Sequence, residues 1–195
     1  MGCSGSAHAD KRLEALRRAT EDQQLVTVRR RIKRADRLKG YVIAVGRRWT
    51  LMTTLGGGIS LDGFTAFRVN DLARVRPDSQ SDRFVKQALT QHGEWPPRPP
   101  YEEVALGRTS DLIRSSADSF PLVTLHLERI DPNVCYIGVP VGWGRRSVRL
   151  LGVSPQATWE RSPDRWRFAD ITRVDFGGPY ESALNEVAGT PPTSH

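Results

Sequence analysis

The chain says nearly the same thing twice, and that repeat limits the fold more than any local propensity does. Residues 40–76 read GYVIAVGRRWTLMTTLGGGISLDGFTAFRVNDLARVR, and residues 138–176 read GVPVGWGRRSVRLLGVSPQATWERSPDRWRFADITRVDF. At an offset of 98, Gly138, Gly144, Arg145 and Arg146 fall on Gly40, Gly46, Arg47 and Arg48. One extra residue in the later loop makes the offset 99, and Arg167, Asp170, Arg173 and Val174 then fall on Arg68, Asp71, Arg74 and Val75. A duplicated unit of this size predicts two copies of one small β module. Each would be marginal alone, because a module of roughly 70 residues buries only about 60% of its unfolded surface.

The hydropathy pattern fills in each copy. Residues 9–21 hold good helix formers with Leu13 and Leu16 on one side, a narrow stripe as expected of a helix lying on a barrel surface. Five short strands follow: Leu25–Lys33, Leu38–Val45 with Tyr41, Ile43 and Val45 on one face, Trp49–Thr54, Phe64–Val69 and Leu72–Arg76. Gly46-Arg47 supplies a hairpin turn, Gly56-Gly57-Gly58 a loop and Asn70-Asp71 a tight turn. The second copy repeats the order, with a helix at 109–116 capped by Thr109 or Ser110. Its strands are expected at Leu122–Ile130, Tyr136–Trp143, Ser147–Val153, Trp166–Phe168 and Thr172–Phe176. One phase conflict stands out. Val148 and Leu150 align with Thr50 and Met52 rather than with Trp49 and Leu51, which predicts a changed turn or a bulge.

The expected organisation is a disordered leader over 1–8, a basic first module over 9–77, a linker over 78–104, a second module over 105–178, and a C-terminal helix and tail over 179–195. The linker holds a helix over 82–92 and then Trp95-Pro-Pro-Arg-Pro-Pro100. That proline run is either a strap with Trp95 anchored between the modules or a ligand for an SH3-type groove. Tyr180, Leu184 and Val187 form a helical stripe that caps the second module, with disorder expected from Thr190. The start, MGCSGS, lacks the regions of a secretory signal; it fits the loose myristoylation pattern, but a disordered leader is the reading adopted. Cys3 and Cys135 make neither a disulfide framework nor a metal spacing, so a reducing cytoplasm is expected, and no apolar run approaches a membrane span.

A helix followed by five short strands, with a tight turn before the last, resembles the Sm-like small β-barrel, and other SH3-like barrels share that strand order. The fold class this implies is mostly β with short helices, as two tandem five-stranded barrels. The Sm-like resemblance implies RNA binding, often by rings; the SH3-like one often implies a protein partner. The family's signature Asp and Asn are replaced by Gly46-Arg47 and Gly144-Arg145, and its Arg-Gly pair by Asn70-Asp71 and Ala169-Asp170. Its base-binding pocket is therefore not carried over.

Net charge is +7. Residues 9–77 carry 16 Lys/Arg against 7 Asp/Glu, whereas residues 105–178 carry 10 against 8, so the excess sits on the first copy. The densest cluster is Arg29, Arg30, Arg31, Lys33, Arg34 and Arg37. On a strand, Arg29, Arg31 and Lys33 share one face. Arg47 and Arg48 lie at a neighbouring hairpin tip. These eight cations suit a phosphate backbone, with Trp49, Tyr41 and Phe64 as stacking surfaces. The alternative is a solvated charged face with those aromatics in the core. At the corresponding strand of the second copy stand Glu128, Arg129 and Asp131, which suggests that only one copy became basic.

Nothing in the sequence assembles a catalytic constellation. His126-Leu-Glu128 with Cys135 falls short of a zinc deaminase signature, since the second Cys is missing; His126 is read as half-buried and Cys135 as core. Asp71 and Asp170 are read as turn residues accepting backbone N–H groups. The glycine loop lacks the Gly-Lys-Ser/Thr that holds phosphates. The function expected is non-catalytic nucleic-acid binding, RNA more than DNA, without cofactor; the alternative is an adaptor whose barrels bind a partner protein.

Overall fold

The computed structural model describes residues 4–102 and 104–192. The first half contains α1 (Ser4–Glu21), β1 (Leu25–Arg30), β2 (Leu38–Val45), β3 (Trp49–Leu55), β4 (Leu61–Arg68), a 3-10 turn (Val69–Asp71) and β5 (Leu72–Pro77). After α2 (Ser79–Gln91) the second half contains α3 (Thr109–Ser119), β6 (Val123–His126), β7 (Cys135–Gly144), β8 (Ser147–Gly152), β9 (Asp164–Arg167) and β10 (Arg173–Phe176), followed by α4 (Pro179–Ala188). The expected mostly β chain with short helices is what forms. Helix α1 begins at Ser4, so the expected disordered leader is helical from there; its first three residues and the last three of the tail lie outside the described residues.

Two separate five-stranded sheets do not form. All ten strands join one antiparallel sheet in the order β5-β1-β2-β3-β4-β10-β6-β7-β8-β9. Each half uses the same internal order, and the seam is β4 against β10, with Phe64 opposite Phe176 and Phe67 opposite Arg173. β5 and β9 are the outer strands, so the sheet is open.

Register runs in parallel in the two halves and refines the alignment between them. Gly40 pairs with Thr54 and Gly138 with Gly152, and both halves bulge two residues later, between Val42 and Ala44 and between Pro140 and Gly142. A Cβ on Gly40 would overlap the Thr53 carbonyl, and one on Gly138 the Leu151 carbonyl, which explains glycine at both positions. The bulge also corrects the expectation that Tyr41, Ile43 and Val45 share a face, because it re-phases the strand after Val42. Along the first strand the offset is 97: Gly40 pairs with Val26, and Gly138 with Val123.

The phase conflict in the third strand needs no extra bulge. Met52 packs into the first half's core with Leu16, Val26, Val42 and Phe67. Val148 and Leu150, on the same phase, pack with Leu112, Ile113, Leu125 and Val174 in the second. Trp49 and Leu51 point to the other face, where that second core covers them too. The third strand of the first half is thus buried on both faces.

Several local expectations change. Trp95 does not anchor between the halves; it meets Tyr41 edge-on, with ring centroids 5.1 Å apart, in a cluster with Val85 and Leu89. The chain beyond it reaches the seam, where Tyr101 and Leu106 join the larger core. Helix α3 is N-capped by Arg108 without a side-chain bond. Helix α4 buries only Leu184, leaving Tyr180 and Val187 exposed. No described helix is long and apolar enough to cross a membrane.

Candidate nucleic-acid interface

The basic segment 29–37 is not one strand. β1 ends at Arg30, where its pairing with β5 slips by a residue, and the backbone then turns, with Arg34 in the left-handed region (φ 64°). Arg31 and Lys33 therefore sit in a turn rather than beside Arg29 on a strand face, correcting that part of the expectation. The turn is tied down by the Arg31 amide, which donates to the Asp71 carbonyl at 2.6 Å.

Seven of the eight cations singled out in the sequence are exposed: Arg29, Arg31, Lys33, Arg34, Arg37, Arg47 and Arg48. None of them makes a side-chain hydrogen bond or ion pair among the described residues. Arg30 is the exception and is withdrawn from the interface. It is 4% exposed, and its guanidinium forks onto the Glu128 carboxylate across the seam, Nη2 to Oε1 at 2.6 Å. Thr172 Oγ1 donates to the same carboxylate at 2.8 Å. Burial pushes the Glu128 pKa up, but the bonds and charge of Arg30 outweigh it and hold the carboxyl below its ordinary value.

The free cations line adjoining concavities. One, of about 430 Å³, is bounded by Arg29, Arg37, Arg74 and Arg76 with Thr27 and Asp78. Another, of about 420 Å³, is lined by Arg31, Lys33 and Arg34 together with Arg129 and Glu128 of the second half. A third, of about 300 Å³, shares Arg31 and adds Arg12. Arg74, Arg76 and Arg12 were missed in the sequence because they are scattered along it; only the strand pairings Arg29–Arg74 and Thr27–Arg76 reveal the cluster. Arg48 adjoins this band through the 3-10 turn, its carbonyl accepting from the Val69 amide at 2.9 Å.

Other expectations are corrected by packing. Trp49 and Tyr41 are buried and Phe64 stacks on Phe176 at 5.7 Å, so none offers a free face to a base. Asp71 does not cap its turn; its carboxylate binds Arg129 of the second half instead, and at the equivalent turn it is the Asp170 amide that bonds, donating to the Arg167 carbonyl at 3.0 Å. Cys135 is exposed rather than core. His126 is half-buried and bonds Asp175 at 2.9 Å. Among the described residues, no three His, Cys, Asp or Glu side chains gather as metal ligands.

The arrangement can hold anions by charge and by guanidinium hydrogen bonds. Comparison of the chain with protein-family models, with curated proteins and with solved structures gives no match.

Proposed function

We propose that this chain is a non-catalytic, cytoplasmic nucleic-acid-binding protein that grips a phosphate backbone, RNA rather than DNA, with the basic face of its first half. The observation that carries the reading is the set of seven exposed, unpaired cations clustered on one half. Unpaired surface charge of one sign attracts a polyanion and releases its counterions on contact. The 5-1-2-3-4 strand order, repeated in both halves of the open sheet, supports reading each half as an Sm-like or SH3-like strand module, and the choice of RNA follows from the Sm-like resemblance.

The test is binding of single-stranded RNA and duplex DNA across a salt series. Wild-type affinity should fall steeply with salt, and replacing Arg29, Arg31 and Lys33 with Ala should flatten the logarithmic slope by up to about 3. The matched replacement of Arg145 and Arg146 should cost much less. Equal losses from both sets would mean that binding follows net charge alone. Absence of binding even at low salt would overturn the reading in favour of a protein partner.

A further inference from the structure

The two halves place the same four positions side by side and treat them in opposite ways. In the first half Thr27 lies across from Arg76 and Arg29 from Arg74. In the second, Thr124 lies across from Asp175 and His126 from Arg173. The glycine pairings fix this correspondence, so Thr27, Arg29, Arg74 and Arg76 stand where Thr124, His126, Arg173 and Asp175 stand.

In the second half these groups have partners, and Arg173 Nη1 also reaches Asp36 of the first half at 3.8 Å. The Asp175 carboxylate accepts from Arg173 Nε at 2.8 Å and from His126 Nε2 at 2.9 Å, and Thr124 donates to Glu181 of α4 at 2.7 Å. Two cationic or polar donors thus converge on one internal carboxylate. The first half keeps the donors and loses the acceptor. Arg76 replaces the aspartate and Arg29 the histidine, while Arg37 adds a fourth guanidinium to the same concavity. All four are exposed and without an ion pair among the described residues. Among the described residues the one carboxylate lining it, Asp78, is already engaged by Lys39 Nζ at 2.6 Å and by the Ser81 amide at 3.2 Å.

We infer that this concavity is a discrete phosphate site, in which a phosphate group of the bound nucleic acid takes the place that the Asp175 carboxylate fills in the other half. Four guanidiniums suit phosphate in particular, since each presents a planar pair of donors to tetrahedral oxygens. The volume of about 430 Å³ leaves room for more than one phosphate. The inference deepens the nucleic-acid reading and rests on it for the source of the phosphate, either a diester within the strand or a terminal monoester.

The decisive variant is Arg76→Asp, which rebuilds in the first half the carboxylate that the second half already has. Inorganic pyrophosphate should raise the melting temperature of the wild-type protein and leave that of Arg76→Asp unmoved. Single-stranded RNA should bind Arg76→Asp about tenfold more weakly than it binds Arg145→Asp, which makes the same charge change away from the site. Without ligand the Arg76→Asp protein should melt no lower than wild type, showing that it folds. A 5′-phosphorylated oligonucleotide binding more tightly than its 5′-hydroxyl twin, with the difference lost in Arg76→Asp, assigns the terminal monoester; equal binding of the two assigns the diester. Equal weakening by both aspartate variants, with equal protection by pyrophosphate, would overturn the site while leaving the nucleic-acid reading intact. Protection of the wild type by pyrophosphate without any RNA binding would uphold the site and refute that reading instead.

Discussion

Arg30, from the most basic stretch of the chain, does not reach solvent; it crosses the seam between the halves and is held by Glu128, with Thr172 completing the carboxylate's shell. The side chains of the pair are 0% and 2% exposed. Such a pair is expensive to break from one side, because the remaining charge stays buried without its partner. Arg30→Met should therefore destabilise the protein by about 3–5 kcal/mol in urea unfolding, and joining it to Glu128→Leu should recover most of that loss. An Arg30→Met protein as stable as wild type would place this side chain in solvent after all.

The seam and the second half should also lose stability in acid. Burial pushes the Asp175 pKa up, but the Arg173 charge and the His126 hydrogen bond outweigh it and hold the carboxyl well below its ordinary range. Glu128 is likewise lowered. A depressed carboxyl contributes stability above its unfolded pKa of about 4 and loses it as pH falls toward the folded value. Asp175→Asn should be clearly less stable than wild type near neutrality, and the gap should narrow below about pH 4. A gap that stays constant in acid would show that Asp175 acts by packing rather than by charge.

How much of this was legible in the sequence depended on whether the signal was local. The strand series was, because Gly40, Gly138 and the paired arginines recur at a nearly fixed spacing, and β2 spans the residues expected of it, although its bulge breaks the alternation. The seam was not. It depends on Phe64 meeting Phe176 and Arg68 reaching the Ile171 carbonyl, contacts more than a hundred residues apart in the chain. The basic site was half legible. Consecutive cations at 29–37 announce themselves, but Arg74 and Arg76 join them only through strand pairing, and Arg30 leaves them only through Glu128. Charge count cannot show which arginine has a partner.

The repeat makes a symmetrical prediction. Gly40→Ala and Gly138→Ala each push a methyl group into the backbone of the neighbouring third strand. Overpacking against backbone costs about 1–3 kcal/mol, and since the geometry is the same in both halves the two losses should be similar. Denaturant midpoints of the single variants provide the check. A large loss at one glycine and none at the other would contradict the shared register.

The last prediction concerns cooperativity. Phe176 stacks on Phe64 and also packs with Phe120 and Tyr101, so one aromatic cluster draws on the fourth strand, the last strand and the chain on either side of α3. Trp49 and Leu51 of the first half are buried in the same core. Either half alone would expose that surface, so the two should unfold together in one transition. Phe176→Ala removes a fully buried ring and should cost about 3–5 kcal/mol. Its effect should appear as a shift of the whole transition, seen equally by tryptophans of both halves, among them Trp49 and Trp166. A transition that splits in two would show that the halves are independent domains, with the β4–β10 seam only a contact between them.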